Sequence, residues 1–392
     1  MFAQSSQPLI MLLDGNSHNA LRIAEELKRC LDVTIIGIGP KPTSCLLRSN
    51  YPSITDIASD INIDDYARRL LDLVRKHNPD FVLPVGARSV IALDLIRSEI
   101  PEGMFLLPAS DVLRTCLDKA SVLRIARHIG IGTPADYTDY VNDVDQGGRT
   151  EKALRELRLP VFLKASREGG PKIRQKVDCY DLFWPTYDRL KQETMDGVLL
   201  VQEYVDGYPA TLGYGFLFLD GTAFLAFGHE ELRSVPRSGG SGTRLRAFEN
   251  DELRFMSERL LREVEYEGVA LVEYKKRFDG SFALMEVNPK FWDSYSLASK
   301  CNYHFAAKLV GACLDIPVRT YEPKNRVEMV FPLKEAWYCA RNWGNDGEFF
   351  LRSAAAMLWP LARWDMNIRE IWWSRLPLSC LASEVLHRYS GK

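Results

Sequence analysis

The chain has 392 residues, 46% of them hydrophobic and 26% charged, with a formal charge of −2. That balance describes a soluble globular protein of two or three domains and gives no global electrostatic reason to bind nucleic acid or an anionic membrane. Its eight cysteines form no C-x-x-C pair and no His/Cys cluster, which argues against a zinc site or a disulfide framework and fits a reducing cytoplasm.

The N-terminal MFAQSSQPLIMLLDG lacks a basic n-region, and its apolar run stops at Asp14, so it reads as a first strand and not as a secretory signal. Residues 8–108 then alternate strand and helix. The pattern implies strands Leu9–Leu13, Val33–Ile38, Phe81–Pro84 and Met104–Leu107, with helices Ser17–Leu31, Ile63–His77 and Ser89–Arg97 between them. This is the pattern of a small Rossmann-like layer domain. Asp14-Gly15-Asn16-Ser17 supplies a turn but not the G-x-G-x-x-G spacing, so no dinucleotide site is assigned, and the domain could bind substrate or act as scaffold.

From Ser110 the stretch DVLRTCLDKASVLRIARHIGI reads as one helix ended by Gly130 and Gly132, followed by a polar connector, Asn142–Thr150. Helix Glu151–Arg158 and strand Pro160–Lys164 lead into Ser166-Arg167-Glu168-Gly169-Gly170-Pro171. Glycines after a lysine-ended strand let backbone N–H groups approach phosphate oxygens, although a plain turn is the competing reading. Helix Cys179–Glu193, strand Val198–Tyr204 and hairpin Gly213–Ala226 come next. The most apolar stretch, Leu212–Phe227, is broken by Asp220-Gly221, so no transmembrane segment is expected. HEELRSVPRSGGSGTRLR then reads as a long irregular loop. Its Arg233, Arg237, Arg244 and Arg246 among Gly239, Gly240 and Gly242 suit either an anionic ligand or a solvated surface. His229 stands at its start.

Helix Asp251–Glu265 delivers the chain to GVALVEYKKRFDGSFALMEVNPKFW, Gly268 to Trp292. Asp279-Gly280 suits a two-residue type I′ turn, and counting outward from it places Glu273 opposite Glu286. Like charges directly paired on one face are destabilising unless something offsets them, and a divalent cation would. Asn288, two residues on, has its amide on the same face, and hard oxygen donors are what Mg²⁺ selects. A solvent-facing hairpin with hydrated acids is the alternative. Glu286, however, is flanked by Leu284, Met285 and Val287, a buried context in which an unpaired carboxylate is costly. Beyond Thr320 lie six of the eight tryptophans, Trp337, Trp343, Trp359, Trp364, Trp372 and Trp373, which suit a C-terminal helical cap, a partner surface or an interfacial membrane helix.

Four fragments in this order resemble the ATP-grasp superfamily, most closely its carboxylate-amine ligase branch, with its biotin carboxylase-like and carbamoyl phosphate synthetase-like folds. They are Asp118-Lys119 with Gly130-Ile131-Gly132-Thr133-Pro134, Pro160 to Ala165 before Gly169-Gly170, Val201 to Gly207, and Glu273 with Glu286-Val287-Asn288-Pro289-Lys290. The resemblance implies an α/β (α+β) chain with an N-terminal Rossmann-like pre-ATP-grasp domain (1–109), a lid subdomain with its linking helix (110–197), a large subdomain with the Mg site (198–320) and a helical extension (321–392).

It also implies roles for individual residues. Lys119 and Lys164 would hold ATP phosphates, Gly169 and Gly170 would form the lid, and Gln202, Glu203 and the Val205 backbone would grip the adenine edge. Glu273, Glu286 and Asn288 would hold two Mg²⁺ ions, with Mn²⁺ as an alternative. Lys290 stands where relatives carry an arginine that contacts the acyl phosphate, and it keeps the charge without the bidentate fork. Arg244 is the candidate to orient the substrate carboxylate. The implied reaction joins a small-molecule carboxylate to an amine in an ADP-forming step. An ATP-binding regulatory protein or a kinase of the same fold are the alternatives, and a homodimer is among the assemblies the family allows.

Overall fold

The computed structural model describes residues 7–59, 62–149, 154–167, 173–194, 198–206, 211–235, 241–325 and 327–331. Gly169, Gly170, the arginine and glycines of 236–240 and the six C-terminal tryptophans lie outside the described residues.

Strands β1 (Leu9–Leu12), β2 (Thr34–Gly39), β3 (Ile54–Ile57) and β4 (Phe81–Leu83) form a parallel sheet of order β3-β2-β1-β4. A parallel sheet is covered on both faces, and alternation along β1 shows how. Ile10 and Leu12 pack with Ile23 and Leu27 of α1 (His18–Cys30), whereas Met11 packs with Leu70 and Val74 of α2 (Ile63–His77). Ser17 and Asn62 start these helices by accepting from the backbone N–H of Asn19 and Asp65. α3 (Ala87–Leu95) follows β4. The short, half-exposed edge strand β3 had no strand signal in the sequence. Conversely, Met104–Leu107 is not a strand: between Pro101 and Pro108 only the Met104 carbonyl reaches β4, accepting from Val82 N at 2.7 Å.

The single helix read from Ser110 onward is two, α4 (Ser110–Leu117) and α5 (Lys119–His128). The break is Asp118, whose extended backbone carries a carboxylate bonded to Ser121 Oγ and Ser166 Oγ. The supposed connector 142–150 is largely helical, within α6 (Thr138–Gly147). Strands β5 (Val161–Ala165), β6 (Arg174–Val177) and β7 (Leu199–Glu203) form a small antiparallel sheet of order β6-β5-β7, closed by Phe183, Tyr187 and Leu190 of α7 (Phe183–Glu193). A division at 197/198 would therefore separate β7 from the sheet it belongs to.

The larger antiparallel sheet comprises β8 (Thr211–Leu219), β9 (Thr222–Val235), β10 (Ser241–Ala247), β11 (Gly268–Lys276), β12 (Phe282–Asn288) and β13 (Glu328–Val330), in the order β12-β11-β8-β9-β10-β13. The stretch read as an irregular arginine loop is mostly strand, because β9 runs on past Ala226 and β10 returns beside it. β13 joins this sheet from beyond residue 320.

One face of the large sheet packs Tyr214, Phe216, Val272 and Tyr274 against α5 and α8 (Asp251–Glu263). Toward the opposite face lie Leu271, Phe227, Trp292 and the helices α9 (Tyr295–Lys300) and α10 (Phe305–Leu314), in one core with α1. Glu26 of α1 fastens that junction, accepting from Tyr295 Oη (2.7 Å) and Ala307 N (3.0 Å) at the start of α10. Among the described residues no helix is long and apolar enough to cross a membrane.

Candidate active site

Glu273 and Glu286 do face each other across β11 and β12, but by a different route from the one the turn sequence implied. The turn takes three residues instead of two. Arg277 N donates to Ser281 O (2.8 Å), leaving Phe278, Asp279 and Gly280 in the loop, with Gly280 at φ 88°. Pairing beside the turn is thereby shifted by one residue, with Tyr274 opposite Leu284. A bulge at Met285 absorbs the extra residue and restores Glu273 opposite Glu286. Asn288 joins them, its Nδ2 donating to Glu273 Oε2 (3.2 Å) and Glu286 Oε1 (3.1 Å).

Two lysines reach the same place from other elements. Lys164, near the end of β5, is 8% exposed and donates to the carbonyl of the bulged Met285 at 3.3 Å. Lys119, the first residue of α5, puts Nζ 3.1 Å from Glu286 Oε2. The start of α5 is pinned to the end of β5. Lys119 N donates to Ser166 O (2.9 Å) and Ala120 N to Ser166 Oγ (3.1 Å), while the Asp118 carboxylate bonds both Ser166 and Ser121. Burial pushes the Lys164 ammonium down to about 8, with Glu286 opposing and Lys119 reinforcing the shift. Burial works against charge on Glu286 too. Lys119 foremost, then hydrogen bonding with Glu273, Lys164 and Asn288, nevertheless hold its carboxyl well below the usual range.

Among the described residues no three His, Cys, Asp or Glu side chains converge on a metal position. The available donor set is two opposed carboxylates and the Asn288 carboxamide, which offers its oxygen when turned about. These are hard oxygen donors that suit Mg²⁺, and their mutual repulsion is relieved by a cation. Gln202, 1% exposed on β7, has neither Oε1 nor Nε2 hydrogen-bonded to the protein. A buried carboxamide left in that condition is costly, and a ligand edge carrying a donor and an acceptor would satisfy it. Val205 is buried just past the end of β7. The Glu203 carboxylate is already engaged by Ala135 N (3.0 Å) and by Arg277 through Nη2 (3.1 Å) and Nε (3.3 Å).

The structure thus brings together Lys119, Lys164, Glu273, Glu286 and Asn288. It does not bring Arg244 to them. On β10, Leu245 turns into the core shared with Trp292, so its neighbours Arg244 and Arg246 project to the other face of the sheet. There Arg244 pairs with Glu328 (2.7 Å) and Arg246 with Glu230. Lys290 is half-buried in the turn after β12, its N–H donating to Asn288 O at 2.9 Å. His229 is wholly enclosed, with Nε2 2.8 Å from Ser294 Oγ, and burial pushes it down to about 4, so it is a structural histidine. The sequence reading did not single out Asp118, Ser166 or Arg277 for these roles. Asp118 and Ser166 fall inside motifs it used, but Arg277 is one charge among several beside a turn.

No protein-family model matches the chain, and no curated protein matches it by sequence. Similar solved structures do exist. The biotin carboxylase domain dimer of Hydrogenobacter thermophilus 2-oxoglutarate carboxylase, in complex with MgADP, ADP and bicarbonate, is 15% identical with a TM-score of 0.66, over 82% of this chain and 73% of that one. Campylobacter jejuni biotin carboxylase in its β,γ-ATP complex is 13% identical with a TM-score of 0.65, over 82% and 74%. Rhizobium etli pyruvate carboxylase is 16% identical with a TM-score of 0.61, over 76% of this chain and 27% of that much longer one. With a lysine-bearing small sheet set against a carboxylate-bearing hairpin, the chain has the ATP-grasp fold seen in biotin carboxylase domains.

Proposed function

We propose that the chain is an ATP- and Mg²⁺-dependent ligase that activates a substrate carboxylate as an acyl phosphate and joins it to an amine, releasing ADP and phosphate. The observation that carries this reading is the meeting of Lys119 of α5 and Lys164 of β5 with the Glu273/Glu286/Asn288 group of the β11–β12 hairpin, far along the chain from both. The neighbours' MgADP and ATP complexes support a nucleotide here.

Lys164 and Lys119 are placed to hold phosphate oxygens, and the buried position of Lys164 makes its charge count for more than it would in water. Lys119 would exchange its bond to Glu286 for one to phosphate, freeing the carboxylate. Glu273, Glu286 and Asn288 would hold the metal ions. Bound Mg²⁺ would neutralise the charge that develops during phosphoryl transfer. Gln202 and the Val205 backbone would read the adenine edge. The Glu203 carboxylate beside them serves Arg277.

In the reaction a substrate carboxylate oxygen bonds to the γ-phosphorus as the bond to the β,γ-bridging oxygen breaks. The amine then attacks the acyl carbon, phosphate leaves and the amine gives up a proton. Lys290 is the residue assigned to the acyl phosphate. Arg244 would reach it only by leaving Glu328 and crossing the sheet, so the reading does not require it.

The test is to incubate the protein with Mg-ATP and pools of carboxylates and amines while following ADP, phosphate and product. ADP with free phosphate, dependent on both an acid and an amine, is the expected result. ADP accompanied by a stable phosphorylated hydroxyl would replace the ligase with a kinase. Nucleotide binding without turnover on any pool would favour a regulatory binder.

A further inference from the structure

The two halves of the site stand on different sheets. Lys164 and Gln202 belong to β6-β5-β7, whereas the carboxylates belong to the hairpin of the large sheet. Lying between them is the strap 131–137, bonded on both sides. Toward the hairpin, Gly132 O accepts from Leu284 N (2.8 Å), in contact so close that a Cβ on Gly132 would sit 2.6 Å from Phe282 O. Toward β7, Ala135 O accepts from Glu203 N (2.8 Å) and Tyr137 N donates to Val201 O (2.8 Å). Arg277 closes the ring. From the base of the hairpin turn its guanidinium takes both Glu203 oxygens, at 3.1 and 3.3 Å, and the Thr133 carbonyl at 3.0 Å.

We propose that Arg277 and Glu203 form a clamp that sets the lysine-bearing sheet against the metal hairpin, making Arg277 a positioning residue for the metal–nucleotide pair and not for the nucleotide alone. The inference rests on the ATP-dependent reading above and deepens it. Arg277 lies four positions beyond Glu273, about 13 Å along the strand direction, so Arg277 acts through alignment and not by touching phosphate. A planar guanidinium on a carboxylate fixes direction as well as distance, which a lysine cannot do. Nucleotide without metal would be held mainly by Gln202, the Val205 backbone and the lysines. A metal would be held by the Glu273/Glu286/Asn288 group while the lysines hold phosphate, so metal-coupled binding would be the more sensitive to the register of the two sheets.

The experiment is calorimetric titration of the full chain with ADP, once in excess chelator and once in Mg²⁺. In the wild type, Mg²⁺ should tighten ADP binding by roughly 10- to 100-fold. Arg277→Met should cut that factor to about 3-fold or less while leaving affinity in chelator within about 2-fold. Arg277→Lys should recover only part of it. The double variant Arg277→Met/Glu203→Gln should lose little more of the Mg²⁺ factor than Arg277→Met alone, because the two residues act as one unit. An Arg277→Met protein with the wild-type Mg²⁺ factor would overturn the clamp, as would equal loss of affinity with and without Mg²⁺, which marks a merely structural arginine. A wild type that binds no ADP in either condition overturns the ATP reading itself, and the clamp falls with it.

Discussion

Two stretches of the large sheet handle charge in opposite ways. In β9–β10–β13 the register sets Arg244 opposite Arg233, but acids stand beside the arginines: Arg246 is opposite Glu230 and Glu328, and the pairs Arg246–Glu230 and Arg244–Glu328 close within the sheet. Such pairs satisfy themselves locally. In β11–β12 the register sets two glutamates face to face, and their compensation comes from residues 119 and 164, on elements more than a hundred positions away. A sheet that balances its own charges needs no ligand there. One that opposes like charges and borrows lysines from elsewhere matches the cation and phosphate site proposed above. The sequence left the arginine stretch open between an anionic ligand and a solvated surface, and the structure pairs Arg244 and Arg246 with glutamates of the same sheet.

The largest expected effect tests the hairpin. Glu286→Gln keeps the shape and a bond with Asn288 but removes the charge that faces Lys119, so turnover should fall by roughly 10²- to 10³-fold with the far-ultraviolet circular dichroism unchanged. A fully active, folded variant would sink the metal assignment and leave the two stretches of sheet equivalent.

A smaller effect should appear in pH dependence. Burial places Lys164 at about 8, below its ordinary 10.5. As pH rises through about 8 the folded protein loses a positive charge at the proposed phosphate position, so Mg²⁺-free ADP should bind progressively more weakly. The stability effect has the other sign: between about 8 and 10.5 the unfolded chain carries a proton that the folded chain lacks, so this group's contribution to stability rises with pH. Lys164→Met should bind ADP poorly at every pH and show no step. A step that survives in Lys164→Met would assign it to another group.

These expectations could be framed because much of the site is local in sequence. A strand ending in lysine and a Glu-x-Asn pair on one strand are short patterns whose residue spacing fixes which face they share, whereas the roles of Lys119 and Lys164 followed from the family resemblance. Fold class was legible for the same reason, since strand and helix periods differ. Other features depended on distant partners. The break at Asp118 is made by Ser166, 48 residues on. The described parts of the stretch, 229–235 and 241–246, are strand because β8 and β13 supply ladders that the local sequence does not advertise. Glu273 met Glu286 only because an extra turn residue and the bulge at Met285 cancel, so the sequence argument reached the right pairing through a turn that does not form.

The smallest expected effect tests the arginine-bearing strands. Arg244 and Glu328 are partly exposed, at 32% and 20% of their side chains, and an ion pair in that setting contributes at most about 1 kcal/mol. Arg244→Met should therefore lower the thermal midpoint slightly and leave kcat and KM for the carboxylate within about 2-fold. Glu328→Gln should do the same, and the two changes should couple, because each removes the same bond. The opposite result is equally informative. If Arg244→Met cost two or more orders of magnitude in kcat while Glu328→Gln cost nothing, Arg244 would have to leave Glu328 and cross to the substrate during turnover. The contrast between a self-balanced sheet and a ligand-demanding hairpin would then hold only for the resting protein.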